Sequence, residues 1–320
     1  MPDISLVSGL VETIYGFSPV AIEPIQRYVF DWRGIFRVYQ ENGQCWVLRL
    51  LKHPEASKDF HSTATLLQWL DQQGYPVPHI HRTREQQLVG IKDNWTLLLL
   101  SFIEGEIIKP EPSSLQLLSA RLGQLHALPH DSAPTARRSR CHPETIANRT
   151  IPQLDTGCRL VPEVYVPLFR RLSASMSAFL RMEDLHFGIT HGDCWYLNAV
   201  RSDVHDVQLI DWDNVGIGAP VLDLGYLLLS SHFRLDEPFC AEPDRDRVQA
   251  IMEGYQTQYP LSLEEVRSLI YAVHFPLACH LGMYSEQNAP LHEEDLFLKK
   301  TQQRFKYAVM IGEMAGTYGP

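Results

Sequence analysis

The segment "ITHGDCWYLNAV" (Ile189–Val200), followed by "VQLIDWDNVGIGAPVLDLG" (Val207–Gly225), admits few arrangements. The apolar run "FGIT" ends in a loop carrying His191, Asp193 and Asn198, and a second apolar run, "VQLI", ends on Asp211 and Asp213. Ser202–Asp206 connects "NAV" back to "VQLI", so the two runs fold as a hairpin. That hairpin brings Asn198, at the start of one strand, near Asp211, at the end of the other. An amide oxygen and a carboxylate converging at one place form a hard-ligand pair that suits Mg²⁺. Asp193, one loop turn away, can hold a nucleophilic hydroxyl in line with a metal-bound phosphate. Any one Asp or Asn here alone reads as a loop residue bonding its own backbone. The conjunction of strand, loop, hairpin and D-W-D points to chemistry.

The remainder of the chain supplies the scaffold. With 320 residues, 45% of them apolar, it has material for a large core and for two lobes. "RGIFRVYQENGQCWVLRLL" reads as two strands joined at Asn42-Gly43, which supplies the positive φ of a tight hairpin. "ASKDFHSTATLLQWLDQQGYPVP" reads as a helix with Phe60, Leu66, Leu67 and Leu70 on one side, closed by Gly74 and two prolines. "QQLVGIKDNWTLLLLSFI" gives two strands around Lys92-Asp93-Asn94. Beyond "EGEIIKPEP" the period changes. Ser113–Leu128 predicts a Ser-capped helix, His130–Cys141 an exposed loop, Pro162–Met182 a further helix, and the last ~95 residues are again helical. The expected fold is α+β and bilobal: a β-rich lobe, residues 1–103, and a mostly helical lobe, residues 104–320, with a hinge over Ser101–Gly105.

A formal charge of −10 opposes a nucleic-acid partner, which calls for a basic stripe, and is compatible with a cationic small substrate. The six cysteines are scattered without C-x-x-C or zinc-like spacing and read as reduced thiols. Asp3 stands where a signal peptide wants positive charge, and "WTLLLLSFI" is too short to span a bilayer. A cytoplasmic protein without a membrane partner is expected.

"HGDCWYLN" with "LIDWDNVGIGAPVLDLG" resembles the signature of the aminoglycoside phosphotransferase/choline kinase family, and "LLSFIEGE", "RLGQLHAL" and "GYPVP" resemble further landmarks in the same order. The resemblance implies a protein-kinase-like fold and transfer of the γ-phosphate of ATP or GTP to a small hydroxylated acceptor. It implies Asp193 as the catalytic aspartate, Asn198 and Asp211 as Mg²⁺ ligands, and Arg49, Ser101 and Ile103 as nucleotide contacts. His191 would brace the loop, Asp213 would be a second metal or water contact or a turn cap, and Asp223 would anchor its segment.

The chain also departs from that pattern. Arg49 stands where a strand lysine is usual, although a guanidinium also clamps phosphate. The position of the partner glutamate on the following helix falls near Thr63, there is no G-x-G-x-x-G loop, and Leu197 replaces a frequent glycine. Candidate acceptors are an aminoglycoside-like amine, an amino alcohol such as choline or homoserine, or a sugar. Asp236, Glu237, Glu242, Asp244 and Glu253 could recognise a cation or lie on the solvated surface. Two other readings stay open: a protein Ser/Thr kinase, for which the segment after Asp211 is short, and a nucleotide-holding regulatory protein without turnover.

Overall fold

The computed structural model describes residues 2–25, 33–52, 56–134, 137–203, 206–233, 242–288 and 290–318. The chain divides into two compact units, Met1–Gly105 with Ala133–Thr135, and Glu106–Ser132 with Ala136–Pro320. Among the described residues, no helix is long and apolar enough to cross a membrane.

The first unit opens with helix α1 (Ile4–Tyr15), which the sequence reading left out. The Asp3 side chain accepts from the Ser5 N–H at its start, and Gly16 ends it at φ 86°. Val7, Leu10, Val11 and Tyr15 recur at helical spacing and are buried. They cover one face of a five-stranded antiparallel sheet built from β1 (Ala21–Pro24), β2 (Arg33–Tyr39), β3 (Cys45–Lys52), β4 (Gly90–Lys92) and β5 (Trp95–Ser101), in the order β1-β2-β3-β5-β4. Gly43 makes the β2–β3 turn at φ 85°; Asp93 and Asn94 make the β4–β5 turn, both at positive φ. Leu48, Leu50, Leu97 and Leu99 point towards α1. By alternation, Arg49 and its cross-strand partner Leu98 lie on the other face. Helix α2 (Ala56–Gln72) packs against β5 and buries Ala64, Leu66, Leu67 and Leu70.

The second unit contains β6 (Glu106–Ile107), α3 (Pro112–His126), α4 (Pro143–Thr145), which runs through a π turn into α5 (Ile151–Gly157), α6 (Val166–Phe179) and β7 (Gly188–Thr190). Strands β8 (Ala199–Asp203), β9 (Asp206–Leu209) and β10 (Gly216–Gly218) follow, then helices α7 (Pro220–Ser230), α8 (Arg245–Gln256), α9 (Leu263–Ala272), α10 (Phe275–Gln287) and α11 (Leu296–Gly316). Strands β6, β8 and β9 form one small sheet; β7 and β10 pair in another.

Two sequence expectations are corrected here. Helix α3 has no serine cap: Pro112 occupies its first turn and Glu111 is the cap residue without a side-chain bond. The fixed φ of proline suits that first turn and moves the start ahead of Ser113. Nor is His130–Cys141 simply an exposed loop. Arg138 bridges to Ile217 in parallel, the Ser139 N–H donates to the Ile217 carbonyl at 2.9 Å, and Ser139 and Cys141 are buried. Their backbone pairs with β10, where Gly216 and Gly218 leave room for it.

Candidate active site

The β8–β9 hairpin sets the register of the site. Ala199 pairs with Leu209, and one step further the Ile210 N–H donates to the Asn198 carbonyl at 2.9 Å. Asn198 and Asp211 are thereby held side by side at the open end of the hairpin. Asp211 adopts φ 62°, ψ 60°, a left-handed conformation that a short polar side chain tolerates better than most. It turns the chain into the single 3₁₀ turn Trp212–Asn214.

The preceding loop is held from beneath by Asp223, near the start of α7. Its Oδ2 accepts from the His191 N–H at 2.6 Å and its Oδ1 from the Gly192 N–H at 2.9 Å. His126 Nε2 lies 3.3 Å away and the Cys141 thiol donates at 3.4 Å. Burial opposes the charge of Asp223, but the His126 hydrogen bond, the charges of His126 and His191 and the His191 N–H hold its carboxyl below the usual range. Gly192 is at φ 78°, and a Cβ there would stand 2.4 Å from the Asn214 carbonyl oxygen, so only glycine allows the loop this close to the D-W-D turn. His191 is fully buried; its Nε2–H donates to the Ile210 carbonyl at 2.9 Å and its ring lies on Trp212. It therefore ties the loop to the strand that delivers Asp211.

Asp193 follows on this braced turn, partly open to solvent. The Asn198 amide nitrogen donates to the Asp193 backbone carbonyl at 3.0 Å and faces its carboxylate at 3.5 Å. That leaves Oδ1 as what the Asn198 side chain offers a ligand. With Asp211 it makes a pair of hard oxygen donors, and phosphate oxygens and waters complete such a shell around Mg²⁺. Among the described residues, no cluster of three or more His, Cys, Asp or Glu side chains forms a separate metal site. Asp213 lies one residue into the turn, its carbonyl bonded by Arg137.

Three residues that the sequence reading did not single out surround Asp193. Arg140 Nη1 lies 3.4 Å from Asp193 Oδ1. The Tyr226 hydroxyl, on α7, faces the Asp193 carboxylate and hydrogen-bonds His280 Nε2, on α10, at 2.8 Å. Burial, and then the Arg140 charge, push His280 down to about 4, so it stays neutral at pH 7. On the same loop, the Tyr196 hydroxyl donates to the Phe233 carbonyl at 3.0 Å, pinning the loop to the segment just beyond α7. Trp195 and Leu197 are half-buried on the same loop.

The expected nucleotide contacts belong to the first unit. Arg49 is buried, at 6% exposure, and Thr63 at 4%. At the end of β5 the Ser101 N–H donates to the His79 carbonyl at 2.8 Å and its hydroxyl accepts from the His79 N–H, so its carbonyl is what remains for a ligand. Of the acidic residues weighed for a cation, Asp236 and Glu237 lie outside the described residues. Asp244 caps α8 and pairs with Arg247, while Glu242 and Glu253 are exposed.

The profile of the phosphotransferase enzyme family matches residues 30–265. Comparison with curated proteins finds no match. Among solved structures, the chain resembles an amicoumacin kinase in complex with AMP-PNP and Ca²⁺, at TM-score 0.73 and 15% identity over 97% of this chain and 93% of that one. It also resembles a spectinomycin phosphotransferase in complex with ADP and spectinomycin (TM-score 0.66, 14% identity, 99% and 100% covered) and a microcompartment-associated aminopropanol kinase (0.68, 15%, 99% and 97%). These likenesses identify the fold: a β-sheet N-terminal region and a helical C-terminal region of the protein-kinase-like kind.

Proposed function

Given that this chain belongs to the phosphotransferase enzyme family, we propose that it transfers the γ-phosphate of ATP or GTP to a hydroxyl of a small molecule. The observation that carries the reading is the Ile210–Asn198 backbone bond, which holds the amide and the Asp211 carboxylate together with Asp193 one turn away. Asn198 Oδ1 and Asp211 would hold Mg²⁺, whose charge when bound offsets that of the nucleotide phosphates. The solved relatives with AMP-PNP or ADP support a nucleotide as cosubstrate.

Asp193 orients the acceptor hydroxyl and takes its proton. An ordinary aspartate is a weak base at pH 7. In a loose phosphoryl transfer that is sufficient, because little proton transfer precedes the transition state and positioning carries most of the catalysis. His191, Gly192 and Asp223 fix the loop so that Asp193 need not reorganise. Arg49, the Ser101 carbonyl and Ile103 are the proposed nucleotide contacts of the first unit, and Asp213 supports the metal turn.

A thermal-shift and product assay tests this. Nucleotide at 100 times its Kd adds about 2.7 kcal/mol of stability when only the native state binds. Asp193→Asn keeps that gain and loses transfer by roughly 10²–10⁴-fold. Asp211→Asn loses the Mg²⁺-dependent part of the gain. Full transfer activity in Asp193→Asn would remove the assignment.

A further inference from the structure

The charged side chain that stands against Asp193 among the described residues is Arg140. The Arg140 guanidinium carries five N–H donors. Among the described residues, Asp193 Oδ1 at 3.4 Å is the one hydrogen-bond acceptor that meets it. Both side chains are about a fifth exposed, 19% for Arg140 and 21% for Asp193, so the two reach solvent side by side. The other polar groups against Arg140 are Cys141, Tyr226 and Cys279. Burial keeps all three in their neutral forms at pH 7. Behind Tyr226 stands neutral His280, and Arg304, stacked at 4.0 Å on Phe233, adds a second positive charge that acts on His280. No second carboxylate faces this group among the described residues.

A half-buried guanidinium with most of its donors unspent is a site for an anion, and its fork matches carboxylate or phosphate oxygens. An ammonium brought to Asp193 would stand beside that same guanidinium and be repelled. We propose, building on the kinase reading above, that the acceptor carries a carboxylate or phosphate close to the hydroxyl that is phosphorylated, and that Arg140 selects for it. The substrate class is then a hydroxy acid or a phosphorylated polyol, in place of a purely cationic amino alcohol or aminoglycoside.

The test compares D-glycerate, glycerol 3-phosphate, glycerol and 1-amino-2-propanol as acceptors for the wild type, Arg140→Gln and Arg140→Lys, with nucleotide-induced stabilisation as the check that each variant is folded. Wild type is expected to favour an anionic acceptor over the amine by at least tenfold in kcat/KM. Arg140→Gln should raise the KM of the anionic acceptor relative to that of glycerol on the order of 10- to 100-fold, as loss of a charged hydrogen bond implies. Arg140→Lys should recover part of that. A preference for glycerate over glycerol 3-phosphate, or the reverse, separates the carboxylate from the phosphate source. Better turnover of the amine by wild type overturns the inference and leaves the kinase reading intact. So does a uniform fall in kcat across all acceptors in Arg140→Gln, which would place Arg140 on Asp193 or the nucleotide. A binding arm needs no turnover: glycerate or glycerol 3-phosphate should stabilise nucleotide-loaded wild type and not Arg140→Gln. Absence of that stabilisation in wild type also overturns the inference, whereas stabilisation without product from any acceptor counts against the kinase reading alone.

Discussion

Asp211 and Asp223 carry the same functional group and do opposite work. Asp211 occupies a left-handed backbone conformation that costs on the order of 1–3 kcal/mol, which the surrounding hairpin and turn impose. Asp223 is wholly buried and accepts from two consecutive backbone N–H groups of the His191-Gly192 turn. Removing it strands those donors and His126 together. Asp223→Ala is therefore expected to destabilise the fold by about 3–5 kcal/mol, measured by urea unfolding, the range for breaking a buried charge network. The two variants should separate cleanly: Asp211→Asn alters ligand-linked stability, Asp223→Ala alters stability of the ligand-free protein. Arg140 teaches a different lesson. It approaches Asp193 across 53 positions of sequence, from a segment whose proline, serines and arginines read as solvent-exposed loop. No local pattern marks such a residue; only the pairing of that segment with β10 brings it inward.

At the scale of elements, what could be read in the sequence was what local stereochemistry dictates. Asn42-Gly43 demanded positive φ and Lys92-Asp93-Asn94 a turn, and both are hairpin turns. The H-G-D…N loop and the D-W-D strand end were readable because their polar residues interrupt apolar runs at the ends of a hairpin. Helix α1 was missed because its opening was weighed as a leader, although Asp3 proves to be its cap and Val7, Leu10, Val11 and Tyr15 its buried stripe. The crossing of α3 and α8 was not readable either, since it depends on absent side chains on both helices. A Cβ on Gly254 would stand 2.3 Å from the Gln116 carbonyl oxygen and one on Gly123 would stand 2.7 Å from that of Tyr255. Both obstacles are backbone, which cannot swing aside. Gly254→Ala should thus lower stability by about 1–3 kcal/mol despite its better helix propensity, with chemical denaturation as the measurement. A gain in stability would mean the two helices can part without cost.

For the whole molecule, acid sensitivity follows from buried histidines. Burial lowers both His232 and His274 from 6.5 to about 4. Each is neutral in the folded protein, while the unfolded chain protonates it below 6.5. The stability they allow is fully present above pH 6.5 and falls as pH drops towards about 4, by about 1.4 kcal/mol per unit for each group. Tm should decline over that window, and His274→Gln, which keeps a partner for the Ser175 hydroxyl at 2.8 Å, should flatten the slope. An unchanged slope in that variant would show that His274 takes up no excess proton on unfolding.

Helix α11 also sets a timetable for synthesis. It buries Leu298, Ala308, Ile311 and Ala315 and closes over α7, α8, α9 and α10, all made before it. The sheet of the first unit is complete within the first 101 residues. At 5–20 residues per second, on the order of 10–40 s separate the emergence of that sheet from the emergence of α11. Each of the four helices α7 to α10 keeps the face that α11 covers exposed from its own emergence, late in that interval, until α11 follows, so the second unit is the later of the two to bury its apolar surface.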